Sequence, residues 1–422
     1  MKHRTRRDAC NNDRVRLLGP PSLLAMTPPA STEPFPLSAS QDSSRWRREP
    51  FRVFFPLGIM LAWIGVGHWL LYATAVTATY SCMFHGLVQM QAFMMAFAVG
   101  FLLTALPRRT QTSAPTGIEM AAAATLLAVN TGAAIAERWM IAELAYIGLF
   151  VLLIQFALRR FLGRAAGRRP PAAFVLIPLA ALHGLAGAGL IAAVELEVVP
   201  VKAGYLGRLL VEQGVFLCLT IGIGSLVLPL IGGAPPPPDL GSTPRESRKA
   251  LAYGAAGVAI LASFVIEQLG FARSGSLLRA AVVAVGLGLG GGAWRLPGKP
   301  GLHRQLAWLS AWLMPLGLIV AALWPDYRVP ALHILFIGGF SLMAFAVATH
   351  VTVSHIDGLQ QLALGRPPAV VALGAALLLA LCARLAADVS DTYFTHLGWA
   401  AAIWILGSVV WLAFFGPKLL RS

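Results

Sequence analysis

Twelve blocks of roughly 20 apolar residues, split by short polar breaks, dominate this sequence, and that is the length an α-helix needs to cross a bilayer core. They fall at about 53–75, 84–106, 117–136, 139–158, 173–193, 205–231, 250–270, 277–293, 304–324, 331–353, 368–386 and 395–415. The blocks from 277 and 368 are the shortest or the richest in Gly and Ala. Backbone amides inside hydrocarbon must find partners within their own segment, which selects helices over open strands. The expected fold is all-α: a polytopic integral membrane protein of about twelve transmembrane helices. Composition agrees, since only 12% of the 422 residues are charged, about half the share in soluble domains.

A net charge of +15 would point to nucleic acid in a soluble chain, but here its placement gives another meaning. With the N-terminus in the cytoplasm, most of the 33 lysines and arginines fall before the first helix or in inner segments such as Arg159, Arg160, Arg164, Arg168 and Arg169. Glu195, Glu197, Asp326, Asp388 and Asp391 then fall outside. This is the positive-inside distribution. It predicts both termini cytoplasmic and makes the lipid bilayer, rather than nucleic acid, the partner of the charge. Residues 1–48 read as a disordered basic arm, with no apolar core of signal-peptide length and with Met26 as a second candidate start. Residues 49–422 read as the transmembrane domain. A Pro-rich cytoplasmic linker over 233–249 is placed to separate two six-helix halves, which show no convincing repeat.

Ionisable and metal-binding groups are costly inside a bilayer and mark functional positions. Among nine histidines, His3 lies in the arm, His303 reads as a solvated interface residue, His183 is mid-helix, and His68 lies in the outer third of helix one. His85 and His333 share a depth near the outer face on different helices, as the two axial imidazoles of one haem require. Each also reads as an interfacial residue bonded to headgroups or backbone. His333 and His350 stand 17 residues apart, ~25 Å along a straight helix, so they cannot share a metal. His350 and His355 are ~140° apart around the helix; snorkelling interface residues and a second metal or proton-entry site are both open. Cys82, Met83 and His85 offer thiolate, thioether and imidazole, a set that suits copper(I), whereas Met90, Met94 and Met95 read as packing. No C-x-x-C-H occurs, which excludes covalent c-type haem. Cys82 and Cys382 both lie near the outer face, where a disulfide is conceivable.

Several stretches resemble the NnrS family, haem- and copper-containing membrane proteins usually of twelve helices, linked to denitrification and relief of nitric-oxide stress. They are "EPFRVFFPLGIMLAW", "FHGLVQMQAFMMAFAVGFLLTALPRRT", "AWLSAWLMPLGLIVAALW" and "ALHILFIGGFSLMAFAVATHVTVSHIDG". The resemblance runs from about Phe51 to the C-terminus. The family's second helix usually opens His-x-His-Glu-Met; His85 matches the first histidine, but Leu87 and Val88 replace the second histidine and the glutamate, and Gln89 the methionine. If those two positions hold copper in the family, that site is lost here or rebuilt with Cys82. His333 and His355 match family histidines, and His350 stands where an arginine is common. The resemblance implies a divergent member in a bacterial inner membrane, carrying non-covalent b-type haem more securely than copper, with nitric oxide as a small ligand and an unidentified redox partner.

The arrangement is similar, without sequence likeness, to haem–copper oxidases, whose low-spin haem hangs between histidines of the second and tenth of twelve helices. Helices six and seven here lack the histidines that build the oxidases' second metal centre, which argues against oxygen or nitric-oxide reduction at such a centre and leaves turnover open. The expected site is His85 and His333 as haem ligands, Gln89 and Gln91 as hydrogen-bond donors around it or as helix–helix contacts, and Cys82 and His355 as further metal ligands. Arg52, at the opposite face, reads as a topology anchor. The rivals are a metal-free permease, to which Pro178, Pro229 and Pro315 would lend broken helices, and an assembly scaffold. Glu119 and Glu143 near helix ends, and Glu267 in a last turn, make buried carboxylates scarce.

Overall fold

A computed structural model describes residues 45–420 except 168, 236, 239, 242 and 357. The expected arm therefore lies outside the described residues, apart from one helical turn at Arg45–Arg48. Among the described residues there are twelve helices long and apolar enough to cross a membrane. They are α1 (Phe51–Ala73), α2 (Cys82–Thr110), α3 (Gly117–Ile135), α4 (Trp139–Leu162), α5 (Ala172–Glu195) and α6 (Val201–Gly232), then α7 (Pro244–Gln268), α8 (Ala272–Gly290), α9 (Leu302–Leu323), α10 (Pro325–His355), α11 (Pro368–Ala387) and α12 (Tyr393–Leu420). The described residues contain no β-strand. This is a multi-pass membrane protein.

Local chemistry sets the helix ends. Ser81 caps α2 by accepting from the Phe84 amide at 3.1 Å, and Thr116 and Glu119 form a reciprocal capping box on α3. One sequence boundary needs correction: α7 starts inside the expected linker, because Thr243 caps it, Pro244 occupies its first turn and the Glu246 amide bonds the Thr243 hydroxyl. Thr-Pro-Arg-Glu is thus a helix start. The described residues from 45 onward cluster as one compact unit.

Neighbours along the chain pack as three runs of four helices, α11–α12–α1–α2, α3–α4–α5–α6 and α7–α8–α9–α10. Each run ends on one of the three most enclosed helices: α2, α6 and α10 bury 78%, 67% and 72% of their apolar windows, against 28–56% for the other nine. The outer helices turn apolar stripes outward, as in α4, where Leu144, Val151 and Leu158 are exposed at seven-residue spacing. In water such stripes would be a liability; against acyl chains they are contact surface. Arg52, at the start of α1, donates to the carbonyls of Lys418 and Leu419 at the end of α12, so both chain ends of the bundle share one face, here the proximal end.

Four spans widen into π-turns: Val88–Met94 in α2, Leu210–Gly214 in α6, Gly286–Gly290 in α8 and Ile334–Ser341 in α10. Such turns are rare and concentrate at functional sites. Two of them matter for position. The α10 turn starts at the residue after His333, and the α2 turn starts three residues after His85.

Candidate functional site

At the distal end of the bundle, α1 and α2 approach at Gly65. A Cβ on that glycine would stand 2.4 Å from Gln89 Nε2 and 2.8 Å from Val88 Cγ1, so only glycine permits the contact. The closeness lets α2 bond the backbone of α1. Gln89 donates to the Ala62 carbonyl at 3.1 Å, and His85 Nδ1 donates to the Gly65 carbonyl at 2.9 Å. The same carbonyl accepts from His68 Nδ1 at 3.0 Å. A carbonyl only accepts, so both rings carry their proton on Nδ1 and present an Nε2 lone pair.

His333 is prepared the same way. Its Nδ1 donates to the Val329 carbonyl one turn earlier at 2.8 Å, which again leaves Nε2 free. Close packing of α9 on α10 fixes the height of this turn: a Cβ at Gly317 would lie 2.6 Å from the Leu335 amide nitrogen, and one at Gly339 2.5 Å from Met314 Cγ. The outcome is a facing pair. The rings of His85 and His333 lie with centroids 6.4 Å apart and planes 13° from parallel.

That spacing tests which group the pair fits. Two imidazoles on opposite sides of one ion, with metal–nitrogen bonds of about 2 Å and ring centres about 1 Å further, stand about 6 Å centre to centre. No group of three or more His, Cys, Asp or Glu able to hold a metal ion occurs among the described residues. A bare copper or zinc ion wants three or four protein donors. Haem iron wants two, because the porphyrin supplies the rest. In number, the two imidazoles match the protein donors that a haem iron would take.

The pair sits in an aromatic and charged frame. Trp69 meets His85 edge-on at 5.8 Å, Phe336 meets His333 edge-on at 6.0 Å, and Phe84 meets His68 at 5.4 Å. Arg384, 5% exposed near the distal end of α11, pairs with Asp388 and lies 5.8 Å from the Tyr393 ring. On the α6 side Arg208 and Glu212 pair at 2.9 Å, and Glu212 stands so near that a Cβ at Gly86 would meet it at 2.8 Å.

The remaining sequence candidates scatter. Gln89 braces α1, as above. Gln91 faces away from that brace and bonds Glu143 on α4 at 2.8 and 3.0 Å while accepting from Asn130 on α3 at 2.8 Å. Cys82 is exposed, and Cys82, Cys218 and Cys382 are all free thiols. His355, at the proximal end, bonds the Val351 carbonyl and packs 5.5 Å from Phe51. His303 corrects the expectation of a solvated residue: it is 1% exposed, with its Nε2 3.2 Å from His350 Nδ1. His183 is buried and meets Cys218 Sγ at 3.6 Å.

Sequence reasoning missed three features. His68 was placed at the right depth without a role, although its spacing on α1 matches the distal level of His85. Arg384 was not singled out, yet a lone basic residue in the last turn of α11 is a usable signal. Glu143 read as a residue near a helix end. It is fully buried.

A family model described as NnrS protein matches residues 45–422. No curated protein and no solved structure matches the chain.

Proposed function

The chain belongs to the NnrS family, and from that premise we propose that it is a haem-binding protein of a bacterial inner membrane that handles nitric oxide or the damage it causes. His85 and His333 would hold the haem in this reading. The supporting observation is their facing geometry, 6.4 Å between ring centres with planes 13° from parallel, on two helices that each widen into a π-turn beside the histidine.

The chain's own residues divide the work. Gly65 and Val329 carbonyls fix the tautomers and orient both rings, which also makes each Nε2 a stronger donor. Trp69 and Phe336 pack edge-on against the pair, and Arg384 supplies a buried positive charge suited to carboxylate groups on a cofactor's edge. A bound haem would supply one-electron chemistry and an iron able to take a diatomic ligand. Copper does not fit equally: Leu87 and Val88 offer no donors, and Cys82 with His85 lacks a third ligand among the described residues.

The test is a reduced-minus-oxidised spectrum of the protein purified after expression with ample haem. Soret and α bands are expected, and His85→Ala or His333→Ala should abolish them. A colourless wild type would sink the reading and leave a metal-free carrier or scaffold. Survival of a deletion strain under a nitric-oxide donor tests the physiological half.

A further inference from the structure

Among the described residues, the acidic side chains that the spans enclose come with cations, with one exception. Glu119 pairs with Arg160, Glu212 with Arg208, Glu246 with Lys249, and Glu267 with both Arg279 and Arg328. Glu143, on α4 one turn from its distal end, is 0% exposed and receives only the Gln91 amide, at 2.8 and 3.0 Å. Two neighbouring polar atoms have no protein partner: Oη of Tyr146, one turn along α4, and Oδ1 of Asn130.

The amides around Glu143 point one way. Asn130 Nδ2 donates to the Ala142 carbonyl at 2.9 Å, and since that carbonyl only accepts, the Asn130 amide cannot flip. The same Nδ2 donates to Gln91 Oε1 at 2.8 Å, which fixes Gln91 in turn and leaves its Nε2 toward the carboxyl. Three helices thus hold one carboxyl rigidly in place while supplying no charge to balance it. A buried carboxylate with a single neutral donor is far costlier than a buried neutral acid. Packing alone would be met better by leucine or glutamine. A titratable group in this setting holds a small cation, and with an N–H already facing both oxygens, the cation that fits is a proton.

We propose that Glu143 is an intramembrane proton-binding site, set between α2, α3 and α4, that loads and releases its proton toward the distal end. Its placement is independent of whether haem occupies the His85–His333 site.

Infrared spectroscopy of the purified protein in lipid tests this with or without cofactor. The wild type should show the carbonyl stretch of a neutral carboxylic acid at neutral pH, shifted on transfer to D2O. Glu143→Gln should remove that band, and Glu119→Gln, which touches an ion-paired carboxylate, should leave it. Gln91→Leu keeps the carboxyl but removes its donor, so the band should move rather than vanish; this variant covers the case in which Glu143→Gln does not fold. Absence of the band in wild type, its survival in Glu143→Gln, or a failure to shift in D2O over hours would each overturn the proposal.

Discussion

The His85 and His333 rings lie within 13° of parallel across 6.4 Å, and each is held by a carbonyl of the surrounding backbone rather than by a mobile side chain. Rings so fixed cannot rotate freely, so if the proposed haem joins them their relative orientation should persist. The ferric protein should therefore give the rhombic low-spin paramagnetic resonance signal of near-parallel imidazole planes. The strongly anisotropic signal of perpendicular planes would contradict the geometry. His68→Ala, which removes a ring from the same Gly65 carbonyl, should retain both the signal and the pigment.

Gly65 carries the approach of α1 to α2. Gly65→Ala would push a methyl into Gln89 and Val88, and overpacking of this kind costs about 1–3 kcal/mol. The expected outcome is a lowered melting midpoint together with sub-stoichiometric haem, because the strain falls on the carbonyl that orients His85. Gly67→Ala, two residues along with nothing within 4 Å of its added Cβ, is the matched control and should change neither.

Arg384 and Asp388 give a sign test. A positive charge near the iron favours the reduced, less positive state, so Arg384→Leu should lower the midpoint potential and Asp388→Asn should raise it. At roughly 10 Å and an effective dielectric of about 20 a full charge acts with about 1.7 kcal/mol; the ion pair cancels part of this, leaving shifts of tens of millivolts. Equal shifts in one direction would show that the two residues act through packing instead.

Acid should loosen the proximal end. Burial pushes the Glu49 carboxyl up, but its hydrogen bond with Arg52, the Arg52 charge, and the Arg45 and Arg108 guanidiniums outweigh this and hold it below the usual carboxylate range. A depressed folded value means the stabilisation is complete above the unfolded value, about 4.3, and is lost as pH falls through the folded one. Thermal midpoints of wild type and Glu49→Gln should differ by a constant amount above about pH 5 and converge in stronger acid. Since Arg52 also bonds the end of α12, cross-linking across the two chain ends should weaken over the same window.

The spans were legible because nearly every residue in them is apolar, and the distal level of His85 and His333 followed from counting along helices. Which face of each helix turns inward was not legible. Spans such as α1 and α12 are apolar all round, so no polar stripe reveals that α2, α6 and α10 are the enclosed ones. The π-turns beside both histidines are a response to packing and leave no local motif. Glu143 reads from sequence only as a carboxylate near a helix end for the same reason: its burial depends on Gln91 and Asn130, 52 and 13 residues away in sequence. His303 was misread because Arg304 beside it suggested water, whereas Arg304 turns to the Ile231 and Pro300 carbonyls and leaves His303 to pack on His350.

Helix α2 carries both His85 and the amide that bonds Glu143, six residues and ~9 Å apart along the axis. An electron added at the histidine pair and a proton at Glu143 should therefore attract each other across roughly 12 Å, about 1.4 kcal/mol at an effective dielectric of 20, or close to tenfold in proton affinity. For one electron a tenfold change corresponds to 59 mV, so the haem midpoint of wild type should fall with rising pH by up to about that amount. Glu143→Gln, whose side chain cannot titrate, should flatten that portion of the curve while leaving the Soret and α bands in place. A pH slope unchanged in Glu143→Gln would separate the two sites electrically, and the proton at Glu143 would then have to serve something other than the iron.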